Sequence, residues 1–458
     1  MTVAQVAAAA IVSRGWVSLM AMFSHAFITP YDTSAIAHSK SIFSAFAAWD
    51  GVYFVGIADQ GYRYENTHAF FPLFPLLVRW TSPLMLPFLD KNASLLAAGW
   101  LISNASFVVA AVFLYLLGLE VLKTESVAKR AALLFCICPS GIFMSACYSE
   151  SLMCALTFSG MYLLERSRTA RRASGPMFLI FSALLFGLSS ATRSNGILHS
   201  RTTDHRSRLR HRRFCGSLHC VLPGSGVPAS RPCFSAVCGP LDIHGQSWRH
   251  RHWVPSRVLS ARHRRVLRFL RLSHAGRSIG LPHRPVRAGR RPPVVQSSRS
   301  QLYGHVHVYP ARILGSGAIR VLRAQAGTTP AFDRPTRHSI LSTQIPNFLL
   351  AAPMLALAGY TSYIGCIVRP PPPFESTRPY FVHVAFLLVN VLVVVHIQVV
   401  TRFLAASPPI FWAASYLTSP DAKRQSRVHP VVTHGVVLYF LVFNVVGATL
   451  FPTFYPWT

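Results

Sequence analysis

Residues 49–75 read WDGVYFVGIADQGYRYENTHAFFPLFP, and they fall between a hydrophobic N-terminus and a long series of apolar runs. Asp50 and Asp59 are placed on a short helix, followed by an aromatic turn, Gly61 to Glu65, and a Pro-broken apolar run from Ala69. The loop containing this stretch, 30–68, gathers Asp32, Asp50, Asp59 and Glu65 out of 14 acids in the whole chain. A hydrophobic protein so poor in acids has little reason to collect them in one loop unless that loop does chemistry.

Working outward, the chain has 458 residues, 51% of them hydrophobic, and a mean hydropathy of +0.36, which is the composition of a multi-span helical membrane protein. The formal charge of +31 suggests an anionic partner until its distribution is read. Residues 201–340 hold 26 of the 40 Arg, three Asp, no Lys and no Glu, giving +23; the remainder carries +8, ordinary for basic cytosolic loops. The nine Cys show no metal-ligand spacing, and Cys136, Cys138 and Cys147 sit inside apolar runs as small core residues.

The first span is read at 5–29, with Arg14 in its middle either snorkelling or partnering a buried acid or lipid phosphate. Its length and lack of a small-residue cleavage site suggest a retained anchor. The run 69–89 carries Pro72, Pro75, Pro83 and Pro87 with Arg79 at its centre, so it is expected to be re-entrant or interfacial. A second span is expected at 95–119. The run 131–164, broken at Cys138-Pro139-Ser140-Gly141 and flanked by basic clusters, reads as a hairpin that returns to the side it left. Further spans are expected at 176–192, 345–365, 403–419 and 431–451, with basic loops at Arg369 to Arg378 and Lys423 to Arg427. This arrangement puts Arg193-Ser194-Asn195, Gln344 to Phe348 and Gln398 to Phe403 on the same face as the first loop, opposite the basic loops.

Three parts follow: 1–198, transmembrane with the loop 30–68; 199–343, rich in Arg, Ser, Pro and His; and 344–458, transmembrane again. The middle part has no apolar window of ~20 residues and no helical or strand period. It reads as a basic nucleic-acid or lipid-binding domain, as a disordered loop, or as an out-of-frame translation. The last explains most. Codons for large apolar residues share a second-position thymine, and shifting the frame scatters it, turning a membrane-coding stretch into Arg, Ser, Pro and His without Lys or Glu.

Residues 49–54, Ile57-Ala58, Gly61-Tyr62, Tyr64-Glu65 and Ala69 to Pro75 closely resemble the first luminal loop of the GPI mannosyltransferase 2 family. Pro139 to Phe143, Tyr148 to Ser151, Thr157 to Gly160 and Arg193 to Gly196 resemble its next blocks, and the match resumes at Gln344 to Ala351, His396 to Leu404 and Pro456 to Thr458. The likeness covers 5–198 and 344–458; the further spans and aromatic luminal motif the family has between them are missing here.

The resemblance implies an all-α polytopic bundle of the C-type glycosyltransferase (GT-C) fold in the endoplasmic reticulum membrane. It would transfer mannose from dolichol-phosphate-mannose through an inverting α1,6 bond to the GPI-anchor precursor glycolipid, with no cofactor or metal, no nucleic acid, and a small accessory membrane subunit as a further partner. Such a displacement needs a base for the acceptor hydroxyl and a cation for the departing phosphate. Asp50 is the expected base, since this class places an essential acid in the first luminal loop; as an isolated Asp-Gly pair it would read as a turn or helix cap. Arg402 and Arg193 are candidates for the phosphate, or interfacial snorkelling residues. Glu150 is expected to pair with Arg14, Arg193 or His396 and to shape the site. Trp49, Tyr53, Phe70 and Phe71 are placed against sugar or lipid, or in an interfacial belt. Asn195 and Gln398, beside the two arginines, complete the substrate-binding set. No Asp-x-Asp pair is present, and the sequon Asn92-Ala93-Ser94 lies close to the membrane. Competing readings are another dolichol-phosphate-sugar transferase, a transporter, and a non-enzymatic membrane protein with a basic binding loop.

Overall fold

In a computed structural model of the chain, the described residues are 2–31, 41–170, 174–196, 198, 337–366, 374, 377–394, 396–419, 430–455 and 457. They fall within one compact unit, and their regular elements are all helical. We number the α-helices α1 (Val3–Phe27), α2 (Asp50–Gln60), α3 (Leu73–Thr81), α4 (Lys91–Leu122), α5 (Glu125–Cys136), α6 (Glu150–Thr169), α7 (Gly175–Ser190), α8 (Arg337–Cys366), α9 (Arg378–Val393), α10 (Val400–Leu404), α11 (Pro408–Leu417) and α12 (Pro430–Leu450). Val3–Phe27, Lys91–Leu122, Ile345–Cys366 and Pro430–Thr453 are long and apolar enough to cross a membrane, and α7 and α9 are shorter apolar helices.

The caps and breaks follow from the sequence. Thr2 and Gln5 form a reciprocal capping box on α1, and Asp90 accepts the Ala93 N–H at the start of α4. Pro139 has no N–H to donate and disfavours helix in the residue before it, so α5 stops at Cys136. The chain then runs through turns from Ile137 to Ser149, buried almost throughout. Irregular backbone at that depth requires side chains to take its carbonyls. Arg14 donates to Gly141 O at 2.6 Å and Cys136 O at 3.2 Å, and Asn444 to Cys138 O at 3.0 Å. Asn104 donates to Ser145 O at 3.3 Å and Ser103 to Tyr148 O at 3.2 Å.

These contacts also fix direction. Gly118 packs on Ala128 and Phe107 on Phe135, so α5 runs antiparallel to α4; Ser103 meets Tyr148 and Glu120 meets Arg166, so α6 runs parallel to it. The expected hairpin is therefore a helix, a buried turn and a returning helix. Asn347 near the start of the described side chains of α8 meets Gln398, while Thr433 at the start of α12 meets Leu417.

Three expectations change. Arg14 is buried, neither snorkelling nor paired with an acid: it bonds carbonyls and Ser145 Oγ and lies 3.8 Å over the Phe107 ring. The run 403–419 is not a span but two short helices, α10 and α11, with every residue of α11 buried; Ser407-Pro408-Pro409 breaks it. The helix expected from residue 345 begins at Arg337, inside the segment bounded at 343. The run 69–89, expected to be re-entrant or interfacial, forms no long helix: it is α3 plus a 3₁₀ turn at Ser82–Met85, with Trp80, Leu84 and Phe88 exposed. The rest of the 199–343 segment, Asp32, Arg369 and the basic loop Lys423 to Arg427 lie outside the described residues.

Candidate active site

Four charged side chains from four distant stretches meet at the end of the bundle where α2 and α6 begin. Arg402 Nη1 lies 2.8 Å from Asp50 Oδ2 and 3.8 Å from Glu150 Oε1, and Arg193 Nη1 donates to the same Glu150 oxygen. Burial differs sharply between the two acids. The Glu150 side chain is 1% exposed and that of Asp50 is 38% exposed, while Arg402 and Arg193 are 16% and 21% exposed. Asp50 is thus the carboxylate that solvent or a ligand reaches.

Local structure explains the placement. Asp50 is the first residue of α2, and the N-cap is Trp49, whose φ of 56° and ψ of −125° hold a bulky residue in a region that favours glycine. The Asp50 side chain turns to Arg402 instead of capping its own helix, which sets aside the turn-or-cap reading. Its backbone N–H donates to Tyr148 Oη at 2.9 Å, and that hydroxyl donates on to Ala48 O at 3.3 Å. Gly51 follows because a Cβ there would lie 3.3 Å from both the Tyr148 ring and Phe46 O.

Glu150 starts α6 as it leaves the buried turn, and Arg193 follows the end of α7. Arg402 sits on α10, 5.2 Å over the Phe143 ring and 5.8 Å over that of Tyr148. Burial alone would lower its pKa; the Glu150 and Asp50 carboxylates and Tyr148 reverse this and hold it above the usual arginine value. It remains a fixed cation.

Of the expected partners of Glu150, the structure selects Arg193, with Arg402 at longer range; Arg14 and His396 are engaged elsewhere. Gln398 Nε2 donates to Asn347 Oδ1 at 3.3 Å, joining the two motifs expected on this face. Asn195 is buried, and its Oδ1, like Ser149 Oγ and Glu150 Oε2, has no hydrogen-bond partner among the described residues. Tyr53 stacks on Phe70 at 5.1 Å, and Phe70 packs edge-on to Phe54, so these rings brace one another over α2. Trp49 is exposed and lies 5.8 Å from Phe454, and Phe71 is half-buried. Sequence reasoning gave no role to Tyr148, Phe143, Phe454 or Trp457. The signals for Tyr148 were its place in the family-like block Tyr148 to Ser151 and its position two residues before Glu150. Among the described residues no group of three or more His, Cys, Asp or Glu is arranged to hold a metal ion.

A partly exposed carboxylate, oriented by an arginine beside a second, buried ion pair, can accept a proton while guanidinium groups face an anion. The family described as Mannosyltransferase (PIG-V) has a model that matches residues 17–218 and 374–458. The chain is 28% identical over 479 residues to a rat protein named GPI alpha-1,6-mannosyltransferase 2, covering 92% of this chain and 89% of that one. It is 26% identical over 495 residues to the human protein of that name, with the same coverage. A Drosophila pseudoobscura pseudoobscura protein named GPI mannosyltransferase 2 is 28% identical over 443 residues, covering 90% of this chain and 86% of its own. No solved structure matches.

Proposed function

The chain belongs to the PIG-V mannosyltransferase family, and from that premise we propose that it transfers the second mannose, through an α1,6 bond, from dolichol-phosphate-mannose to the GPI-anchor precursor in the lumen of the endoplasmic reticulum. The observation that carries the reading is the Asp50–Arg402 pair at 2.8 Å, made between residues 352 positions apart and open on the Asp50 side. Asp50 takes the proton from the acceptor hydroxyl as its oxygen attacks the anomeric carbon. The bond from that carbon to the phosphate oxygen breaks, and the electron pair leaves with the lipid phosphate. Arg402 and Arg193, whose side chains are partly exposed, offset the charge that develops there. Trp49, the residue before Asp50, and Tyr53, on the same helix, are the aromatic rings assigned to a sugar.

The test is complementation of cells lacking this transfer. Asp50→Asn, at equal abundance, is expected to lower transfer about 10²–10⁴-fold and to accumulate the one-mannose precursor. Full rescue by Asp50→Asn removes it from the mechanism, and a block after three mannoses assigns a different acceptor.

We infer also that residues 199–343 are read out of frame. Two observations support this: the family match, which runs to 218, lapses over most of the segment and resumes at 374, and the alignment to the rat protein covers 92% of this chain and 89% of that one, which leaves little room for an added domain of 145 residues. Translating the encoding nucleotides in the other two frames tests it; absence of long apolar runs in both rejects it.

A further inference from the structure

The residues after α12 touch the site at two separate points. Phe454 packs on Trp49, the residue whose strained backbone sets Asp50 at the helix start. Trp457 stacks on Phe143 at 5.6 Å and 17°, and Phe143 is the ring over which the Arg402 guanidinium sits at 5.2 Å. Trp457 is buried, and its indole occupies the space that a Cβ at Gly447 would claim, so α12 can carry only glycine there without displacing it. Phe451 closes the cluster, edge-on to both Phe143 and Tyr148. The segment itself is tied down by the Tyr31 N–H, which donates to Thr453 O at 2.8 Å.

We propose that Trp457 is a positioning residue for mannosyl transfer, acting through Phe143 on Arg402, a role that rests on the function proposed above. A guanidinium over an aromatic face is held by the ring quadrupole, so its direction follows the ring. Two carboxylates also attract Arg402, and Phe143 decides how far toward Asp50 it leans. Removing the indole leaves Phe143 free to tilt into the vacated volume. Arg402 then keeps its charge and loses its aim, and misplacement of order 1 Å in a catalytic constellation costs about 10²-fold.

The experiment uses the full chain in microsomes, assayed with dolichol-phosphate-mannose and the one-mannose acceptor. Trp457→Ala is expected to lower kcat by about 10- to 100-fold with KM for both substrates nearly unchanged, and Trp457→Phe to recover most of it. Gly447→Ala, which pushes the indole from the other side, is expected to reproduce the kcat loss. Unchanged kcat in Trp457→Ala, or a fall only in proportion to abundance, overturns the proposal. A second measurement needs no activity: the melting-temperature shift of Trp457→Ala is expected to shrink in an Arg402→Gln background. Additive shifts overturn the coupling whether or not the wild-type chain transfers mannose, whereas an inactive wild type with coupled shifts overturns only the function.

Discussion

Glu150 Oε1 serves two arginines while its side chain is almost wholly buried, which makes it the most consequential single carboxylate for stability at this end of the bundle. Removing one member of a buried ion pair leaves the other charge uncompensated, at about 3–5 kcal/mol, whereas removing both together is far cheaper. Glu150→Gln is therefore expected to lower the melting temperature in detergent more than the Glu150→Gln/Arg193→Gln double variant does; equal or additive losses would show that the pair is not a unit. The Asp59–Lys91 pair, 2.6 Å apart, belongs to the opposite regime, since Lys91 is largely exposed. The hydrogen bond from Lys91 holds Asp59 below its ordinary value of 3.8. The folded pKa is depressed, so the stabilisation is present above the unfolded value and lost as pH falls through the folded one. Exposure limits it to about 1 kcal/mol or less: Asp59→Asn is expected to cost a small amount of melting temperature at pH 7 and none near pH 2. Asp50 was legible as a site residue from its loop and its family pattern. Its exact partner was not, because a pairing across 352 residues depends on where α10 ends up.

A short irregular segment, 137–149, decides whether the elements form a site at all. It carries Phe143, Tyr148 and the approach to Glu150, and its carbonyls are bonded by side chains from α1, α4 and α12. The break itself was visible in Cys138-Pro139-Ser140-Gly141, where a proline that lacks the N–H and disfavours helix in the residue before it is followed by two residues of low helix propensity. That Arg14 answers the break was not visible, because an arginine in an apolar run has several possible partners and only packing selects among them. Arg14→Leu keeps the helix apolar and strips the guanidinium donors from Gly141 O, Cys136 O and Ser145 Oγ. Cys136 O keeps the Ser13 hydroxyl and Gly141 O keeps the Met144 N–H, so a loss of about 1–3 kcal/mol, read as a lower melting temperature, is expected, with Arg14→Lys recovering part. Gly141→Ala offers a second probe: a Cβ there collides with the Asn444 amide that bonds Cys138 O, and melting temperature should fall. The same logic accounts for the misread run 403–419. Its hydropathy suits a span, but α11 is buried on every side, and hydropathy alone does not separate lipid contact from protein contact.

Among the described residues, ion pairs fall at two ends. Asp50, Glu150, Arg193 and Arg402 share one end, whereas Glu120 with Lys123 and Arg166, and Glu165 with Arg168, lie where α4 and α6 finish, about 25 Å away along α6 at 1.5 Å per residue. Basic residues tend to remain on the cytosolic side of membrane proteins, so the Lys123–Arg166–Arg168 end is expected to face the cytosol and the Asp50 end to face away from it. Loop charges in the sequence lead to the same expectation, because each crossing reverses the side. An accessibility experiment argues the point directly. Single cysteines at exposed positions, Tyr64→Cys near Asp50 and Lys123→Cys at the other end, are placed in a chain whose own cysteines are replaced by serine or alanine. In sealed microsomes an impermeant thiol reagent is expected to label Lys123→Cys at once and Tyr64→Cys only after the membrane is opened. Labelling of both from outside would put Asp50 and the basic rim on one face. The alternation of helices that gathers four charges into a single lumen-facing site would then be wrong, and with it the route by which a lipid-borne phosphate reaches Arg402.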